Sequence, residues 1–310
     1  MNILVTGGEG FVGRYVVRQL ESEGHEVTSI DIVSEGKRRV DITNSHQVRA
    51  ALDCFKPEAV VHLAALAGAT GKGGGAESLK LPYDYLHVNI SGTLNVYDAC
   101  RVLGISKVLC MSSFSPYGVT KAAIDEETPF SPNNPYGASK ACVEEIARCY
   151  AINYGIKTLI FRPPLICGEG QKEMNVLREF VFSALRDEPI VILGDGKHVR
   201  EFVHPQDVGR AYSAGINFLC RMNEPFDVFV LGNKPVSMSD LAKIVIKKVG
   251  KGVIEFRSAT KQVFDQFTDH RKANVILGWK PSIDTEEIVE RVITDVSRQF
   301  CLRSEAQKSK

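Results

Sequence analysis

The stretch Ile3-Leu-Val-Thr-Gly-Gly-Glu-Gly-Phe-Val-Gly13 joins a short β-branched run to a helical pattern. It predicts a strand, a glycine turn and a helix, in that order. Glycines at positions 7, 10 and 13 let backbone N–H groups approach a ligand where the helix begins, and that end of a helix attracts anions. The start of the chain therefore predicts a pyrophosphate site in a dinucleotide-binding unit.

A second predicted strand, residues 27–30, ends in Asp31, about 20 residues after the glycines. A carboxylate at this place accepts hydrogen bonds from the adenosine ribose and disfavours a 2′-phosphate, which favours NAD over NADP. Lys37, Arg38 and Arg39 follow closely, so a contact between one of them and a 2′-phosphate stays open. We favour the alternative, a solvated loop.

Helices and strands alternate through the first half of the chain. The predicted elements are a helix over 45–55, a strand over 59–65, a helix over 89–103 and a strand over 107–111. This alternation is typical of a parallel sheet covered on both faces, a Rossmann-type doubly wound α/β fold. Small Ala64 and Ala65 at the end of a strand allow a cofactor to lie close to the backbone.

Two features of this half resemble functional motifs, but we predict neither a catalytic residue nor a phosphate loop there. His62, inside the strand over 59–65, is predicted to pack in the sheet. Gly-Lys-Gly-Gly-Gly at 71–75 is not a phosphate loop, because no Ser or Thr follows Lys72 and Leu66 stands where the first glycine belongs. Residues 68–82 are predicted to form a lid over the active site or a flexible excursion.

Tyr136 and Lys140 are four residues apart in a helical pattern, which places them on one face of a helix. An ammonium near a phenol lowers the phenol's pKa, and the pair can then exchange a proton with a substrate hydroxyl. By spacing alone, a surface pair is the alternative. Ser113 follows the strand over 107–111 and can bond the oxygen whose proton Tyr136 handles; a structural turn is the alternative.

Composition excludes several classes of protein. The 310 residues carry a formal net charge of +1, which gives no reason to expect nucleic acid or an anionic membrane as partner. Apolar runs stop short of the roughly 18 residues of a membrane span, and no secretory signal is visible. Eight cysteines lack Cys-x-x-Cys pairs and metal-like spacing. They predict a cytoplasmic protein with reduced, mostly buried thiols and no metal site.

The rest of the chain contains further short motifs. Together with those above they are Thr6–Gly13, Asp31, Asp41-Ile42, His62–Ala65, Asn89–Asn95, Ser112-Ser113 with Tyr117-Gly118, Tyr136 with Lys140, Arg162-Pro163, Gly194–Gly196, Arg200–His204 with Asp207-Val208, and Leu277–Pro281. Over nearly its whole length the chain resembles the extended short-chain dehydrogenase/reductases. Within them it is similar to the NAD-dependent nucleotide-sugar epimerases and dehydratases.

The resemblance implies roles for individual residues. Tyr136 becomes the catalytic acid/base, Lys140 its electrostatic partner and a ligand of the nicotinamide ribose, and Ser113 the hydroxyl that orients the reacting oxygen. The implied cofactor-binding residues are Gly7, Gly10, Phe11, Val12, Gly13, Asp31, Asp41, Ile42, Leu63, Ala64, Ala65, Asn89, Ser112, Tyr136 and Lys140. The implied substrate-binding residues are Ser113, Arg200 as a phosphate ligand, and Asn175 as a weaker candidate.

The resemblance also implies a domain organisation. Residues 1–165 with about 203–232 form the dinucleotide-binding domain, about 166–202 with 233–300 form a smaller α/β substrate-binding lobe, and 301–310 form a frayed tail. Helices over 89–103 and 136–154 are those that family members pair about a two-fold axis, so a homodimer is expected. Apolar Leu94, Val143 and Ile146 permit this pairing.

The chain departs from the family at two places in the substrate half. Leu165 stands where an Asn is usual. The Arg-x-Gly-Asp/Glu element before the Leu-Gly-Trp motif is absent, and Arg257 or Lys261 could compensate. At Leu165, one polar contact that family members make to the substrate is therefore missing.

The residues after Ser113 help to choose the reaction. Family 4,6-dehydratases and decarboxylases place acids there, whereas this chain has Phe114 and Ser115. We therefore predict a 4-epimerase: Tyr136 takes the C4 hydroxyl proton, NAD takes the C4 hydride, and the hydride returns to the other face of the 4-keto sugar. Alternatives are a 4-keto-sugar reductase or sugar dehydrogenase, a 4,6-dehydratase, and a non-catalytic dinucleotide-binding regulator.

Overall fold

The computed structural model describes residues 1–67, 76–120, 123–259 and 264–308, apart from the side chains of residue 76 and residues 300–308. The part of the predicted lid at 68–75 and the candidate Lys261 lie outside the described residues.

A parallel sheet of six strands forms the centre of the molecule. Its strands are β1 (Asn2–Thr6), β2 (Glu26–Ile30), β3 (Ala59–His62), β4 (Lys107–Met111), β5 (Lys157–Arg162) and β10 (Phe226–Val230), in the spatial order β10-β5-β4-β3-β1-β2. Strand β1 pairs with β2 on one side and β3 on the other, so the strand order reverses there. Ligands bind at such a switch point, outside the carboxyl ends of the strands. The predicted doubly wound α/β fold is confirmed.

Helices cover both faces of this sheet. They are α1 (Phe11–Ser22) and α8 (Pro205–Leu219) on one face, and α2 (Ser45–Phe55), α5 (Gly92–Leu103) and α6 (Pro135–Tyr154) on the other. Successive strand residues point to opposite faces, so Ile3 and Val5 pack with Val16 of α1 while Leu4 packs with Val48 of α2. Because both faces are buried, β1 reads as a continuous apolar run.

The predicted bounds of the elements around the lid differ from those in the structure. The strand predicted over 59–65 ends at His62, although the Leu63 amide still donates to the Thr6 carbonyl at 3.1 Å. Residues from 76 onward are helical rather than a flexible excursion: α3 (Ala76–Lys80), α4 (Pro82–Leu86) and a π-helical turn (His87–Ser91) precede α5. Ser78 is fully buried, so this segment packs into the domain.

Helix α10 (Arg271–Leu277) packs with α8 on the central sheet, where Ala273 is part of the core. The other elements form a smaller unit with a core of its own. They are β6 (Leu165–Ile166), α7 (Val176–Leu185), β7 (Ile190–Leu193), β8 (Val199–Arg200), β9 (Phe202–Val203), β11 (Val236–Ser237), α9 (Met238–Val249), β12 (Ile254–Arg257) and α11 (Thr285–Lys308). Its core includes Leu177, Ile190, Leu241 and Val292. The prediction of a frayed tail over 301–310 is wrong for residues 301–308, because α11 continues to Lys308.

The prediction of mostly buried thiols is wrong. Seven cysteine side chains are described, and all are free: Cys100, Cys110 and Cys167 are buried, whereas Cys54, Cys142, Cys149 and Cys220 are exposed. The exposed thiols lie on the outer surfaces or at the ends of helices, and composition does not reveal which helix face a residue occupies. Within the described ranges, no helix is both long enough and apolar enough to cross a membrane.

Candidate active site

The turn after β1 is packed too tightly for any residue but glycine at two positions. Gly7 has φ +72°, and a Cβ on it would lie 2.7 Å from the Ala64 backbone. A Cβ on Gly13 would lie 2.1 Å from the Gly7 carbonyl oxygen. Helix α1 then begins with Gly10 as its N-cap and without a side-chain cap, so its first N–H groups keep donor capacity for an anion.

Asp31 lies beside this turn at the end of β2. Its carboxylate accepts hydrogen bonds from the backbone N–H groups of Glu9 and Val33, both at 3.3 Å. The side chains of Lys37, Arg38 and Arg39 are exposed, in agreement with the solvated loop that we favoured. A tight glycine turn with a free helix end, and a carboxylate next to it, fit a dinucleotide with an unphosphorylated ribose.

Two further predicted cofactor residues, Asp41 and Ile42, follow this loop. The Asp41 carboxylate accepts from the Thr43 amide at 2.9 Å and from its hydroxyl at 2.8 Å. Ile42 packs against the start of α5, where a Cβ on Gly92 would lie 2.4 Å from its Cδ1. Phe11 and Val12 open α1, and Leu63–Ala65 follow β3, so all these residues lie along the carboxyl edge of β1, β2 and β3 or next to it.

Helix α6 carries the predicted catalytic pair. Asn134 caps the helix by accepting from the Gly137 amide at 2.9 Å, and Pro135 opens it. Lys140 is 5% exposed, and its Nζ donates to the carbonyl oxygen of Met111 at 2.9 Å. Because Met111 ends β4 directly before Ser112 and Ser113, this bond holds the ammonium next to the predicted hydroxyl residue.

The Lys140 side chain is almost fully shielded from solvent. Burial lowers the pKa of its ammonium, and the Glu144 carboxylate one helical turn further along partly opposes that shift. Glu144 is itself paired with Arg162 at 2.7 Å, and both side chains are buried. In so buried a site, a positive charge on Lys140 acts strongly on a neighbouring phenol.

The two serines after β4 differ in their bonding. Ser113 Oγ accepts from the Ser115 amide at 3.1 Å and donates to the Ser115 hydroxyl at 3.2 Å. The Ser112 hydroxyl is buried and, within the part of the chain that the structure describes, has no hydrogen-bond partner. An orphaned hydroxyl at the carboxyl edge of the sheet has capacity for a ligand.

Asn89 connects the segment after β3 to α6, the helix that carries the predicted catalytic pair. Its Oδ1 accepts from the Leu66 amide at 2.8 Å, and its Nδ2 donates to the Leu66 carbonyl at 3.1 Å and to Ser139 Oγ at 2.8 Å. Ser139 Oγ in turn donates to the Tyr136 carbonyl at 2.8 Å. The ring of Tyr136 packs edge-on against Tyr85, with the centroids 6.2 Å apart. Sequence reasoning missed Ser139, although it lies between the two residues of the predicted pair.

On the substrate side, Arg200 is a cation bonded to carbonyl oxygens. Its Nη1 donates to the carbonyls of Val199, at 2.8 Å, and of Phe264, and its guanidinium lies 5.3 Å from the Phe264 ring centroid. Burial lowers the pKa of Arg200 to about 10, with Asp265 opposing the shift. Such a guanidinium has capacity for an anionic ligand.

The other substrate candidates are already engaged or distant. Asn175 is the N-cap of α7: its Oδ1 accepts from the Arg178 amide at 3.0 Å, and its Nδ2 donates to Gln171 at 2.7 Å. Arg257 is paired with Glu255 at the surface. A cavity of about 10 Å³ between Leu165, Arg200 and their neighbours has room for about one water.

Glu201, next to Arg200, gives a prediction on stability. Its side chain is buried and accepts from the Thr268 hydroxyl at 2.7 Å. Burial raises the pKa of Glu201 to about 7, while hydrogen bonds from Thr268 and Asn233 lower it. Between its unfolded pKa of about 4.3 and 7, the folded protein keeps a proton that the unfolded chain has lost. This contribution to stability is therefore complete below about pH 4 and is lost as the pH rises to 7.

We expect Glu201→Gln to remove this slope, because glutamine keeps an acceptor for Thr268 and does not titrate. Urea unfolding midpoints at pH 5, 6, 7 and 8 should fall less steeply for the variant than for the parent protein. Equal slopes in the two proteins would contradict the assignment.

Comparison with known proteins agrees with this geometry. Residues 3–230 match the model of the NAD dependent epimerase/dehydratase family. The chain belongs to this family. The cofactor prediction, NAD, is confirmed with it.

Relatives and solved structures are similar over nearly the full length of the chain. A UDP-glucuronate 4-epimerase from Thermodesulfobacterium geofontis is 28% identical, with 94% of each chain covered. The structure of a Thermotoga maritima UDP-glucose 4-epimerase with UDP-glucose superposes with a TM-score of 0.84, at 28% identity, covering 97% of this chain and 100% of the other. A Bacillus cereus UDP-glucuronic acid 4-epimerase, solved with UDP-glucuronic acid and NAD, gives 0.83 at 25% identity, covering 96% and 100%.

Proposed function

We propose that this family member is a C4 epimerase of a UDP-sugar, which oxidises C4 transiently and reduces it again on the other face. Three observations support the proposal: the similarity to 4-epimerases over nearly the whole length, a tight glycine turn at the switch point of the sheet, and Tyr136 and Lys140 together on α6. The contact that carries most weight joins Lys140 Nζ to the Met111 carbonyl, because it brings α6 against the strand end that bears Ser113.

Each residue of the centre has a proposed task. Tyr136 accepts the C4 hydroxyl proton and returns it after reduction. Lys140 favours the phenolate by its charge and holds the nicotinamide ribose. Ser113 bonds the reacting oxygen. NAD supplies reversible hydride transfer when bound; Gly7, Gly13, Asp31 and Ser112 would hold it.

The direct test is an assay without added dinucleotide. Purified protein is incubated separately with UDP-glucose and with UDP-glucuronate, and ¹H NMR follows the anomeric signals of the 4-epimers. We expect interconversion of at least one pair, because the cofactor is regenerated in each turnover. A protein that converts neither pair but consumes NADH or NADPH with a 4-keto sugar is instead the reductase.

Arg200 gives a second test within this function, because we propose that its guanidinium binds the diphosphate. Arg200→Gln should raise KM for the nucleotide sugar by about tenfold or more, a loss of about 1.4 kcal/mol or more of binding. The amount of NAD that copurifies should not change. Exposed Arg257, paired with Glu255, offers a control: Arg257→Gln should leave KM within twofold of the parent value. Equal KM values in the two variants would remove Arg200 from the diphosphate site.

We also propose the domain boundaries given above, a homodimer and a cytoplasmic location. Leu94, Val102 and Ile152 on α5 and α6 are 43%, 40% and 57% exposed, which supports pairing of these helices between two copies. Val143 gives no such support, because its side chain is 1% exposed and packs in the core beneath. Light scattering after size exclusion measures the oligomeric state, and a monomeric mass would remove the dimer.

A further inference from the structure

His62 is a buried histidine at the end of β3 whose two ring nitrogens both meet threonine hydroxyls. Its side chain is 3% exposed. Nδ1 lies 2.8 Å from Thr6 Oγ1, and Nε2 lies 3.0 Å from Thr93 Oγ1. From the sequence we predicted only that His62 packs in the sheet, and the proposed reaction does not use this residue.

The proton positions follow from the other bonds of the two threonines. The Thr93 hydroxyl donates to the Asn89 carbonyl at 2.7 Å, so its single proton is not available to His62. Nε2 must therefore carry the proton and donate to Thr93. In a neutral ring Nδ1 is then an acceptor, and it receives the Thr6 hydroxyl proton. Thr6 Oγ1 itself accepts from the Ala64 amide at 3.2 Å.

The ring is neutral for a physical reason. Burial lowers the pKa of His62 to about 3, and the nearby Lys140 ammonium lowers it further. A second positive charge in this dry part of the sheet would be repelled by Lys140 and would have no carboxylate among its direct partners. The hydrogen bonds thus form one row with a single direction, in which each residue donates one proton to the next: Ala64, Thr6, His62, Thr93 and Asn89.

This row connects the two halves of the candidate active site. Thr6 is the last residue of β1 and enters the glycine turn, and Gly7 packs against the Ala64 backbone. At the other end, the Asn89 side chain reaches Ser139, whose hydroxyl bonds the Tyr136 carbonyl. The buried bonds therefore run from the turn that holds the dinucleotide to the first turn of the catalytic helix.

We propose that His62 is a positioning residue, whose neutral ring fixes the glycine turn relative to the segment that carries Tyr136. Without the row, the dinucleotide and the phenol would each still have a site, but their separation would be less well defined. A displacement of about 1 Å costs up to about 100-fold in rate. The part of His62 in turnover rests on the proposed epimerase function, whereas the direction of the hydrogen bonds does not.

Thr93→Val tests the row with a change of nearly constant volume, since it removes the donor to Asn89 and the acceptor for His62. Thr158→Val is the matched control: Thr158 is fully buried, its hydroxyl donates to the Ile156 carbonyl at 3.0 Å, and it lies near the amino end of β5. We expect similar falls in Tm for both variants. Only Thr93→Val should lower kcat, by about tenfold or more, and release copurifying NAD, and Thr93→Ser should restore both. If kcat and NAD retention in Thr93→Val match those in Thr158→Val, His62 has only a structural role.

A second measurement uses the parent protein and needs no activity. Two-bond ¹H–¹⁵N spectra of ¹⁵N-histidine-labelled protein report which ring nitrogen carries the proton, and His62→Gln assigns the signal. We expect the Nε2–H tautomer, unchanged from pH 5.5 to 8.5. The Nδ1–H tautomer, or titration in this range, would overturn the proposal. If the parent protein epimerises nothing, the proposed function fails, and the tautomer and the NAD retention of Thr93→Val still decide the role of His62.

Discussion

Tyr136→Phe should lower kcat by about 100- to 10,000-fold, the range that a lost general acid/base produces. The substitution removes one oxygen and leaves the ring that packs against Tyr85. Because the glycine turn that we propose for the cofactor lies between β1 and α1, away from Tyr136 in the chain, the variant should still copurify with NAD. Its substrate KM should change little if the phenol acts chiefly in the transition state.

The same helix offers a control for this variant. Tyr154 ends α6 and is 54% exposed, beside the Arg101 guanidinium. Tyr154→Phe removes the same oxygen from the same element and should leave kcat within twofold of the parent value. A Tyr136→Phe enzyme that turns over as fast as Tyr154→Phe would exclude the phenol as the proton carrier.

Gly7→Ala should abolish retention of NAD and, with it, activity without added dinucleotide. The new Cβ would meet the Ala64 backbone at 2.7 Å, so either the turn or the end of β3 must move. It would also force alanine into a left-handed conformation, which costs about 1 kcal/mol. Mass spectrometry of the dinucleotide released from purified protein measures the loss.

Gly250→Ala separates the two effects. Gly250 has φ +85° at the end of α9, and a Cβ there would meet nothing within 4 Å. Both variants should lose stability through backbone strain, but only Gly7→Ala should lose the dinucleotide. If Gly7→Ala retained as much NAD as Gly250→Ala, the turn would not be the pyrophosphate site.

Much of the fold was predictable because local patterns specify it. The glycine turn fixes a strand before it and a helix after it, and the helix over 45–55 and the strand over 107–111 occur as predicted. Such elements depend on periodicity and on turn residues that lie close together in the chain. The family and the cofactor followed from motifs whose order is visible without a structure.

The unpredicted features depend on distant parts of the chain. The bonds of His62 join residues 56 and 31 positions away, and they form only once β1, β3 and α5 are in register. Arg200 likewise bonds the Phe264 carbonyl, 64 residues further along, and this contact covers the guanidinium that the sequence suggested only as a phosphate ligand. Neither contact leaves a local pattern in the sequence.

The central claim is that the same carbon loses and regains its hydrogen within one active site. The UDP-sugar that the protein converts, UDP-glucose or UDP-glucuronate, is deuterated at C4 and incubated in H₂O without added dinucleotide, and the product is analysed by NMR and mass spectrometry. We predict a C4-epimerised product that keeps its deuterium at C4, because the hydride is held out of solvent and returned to the other face. A product that carries hydrogen from solvent at C4 would contradict the account.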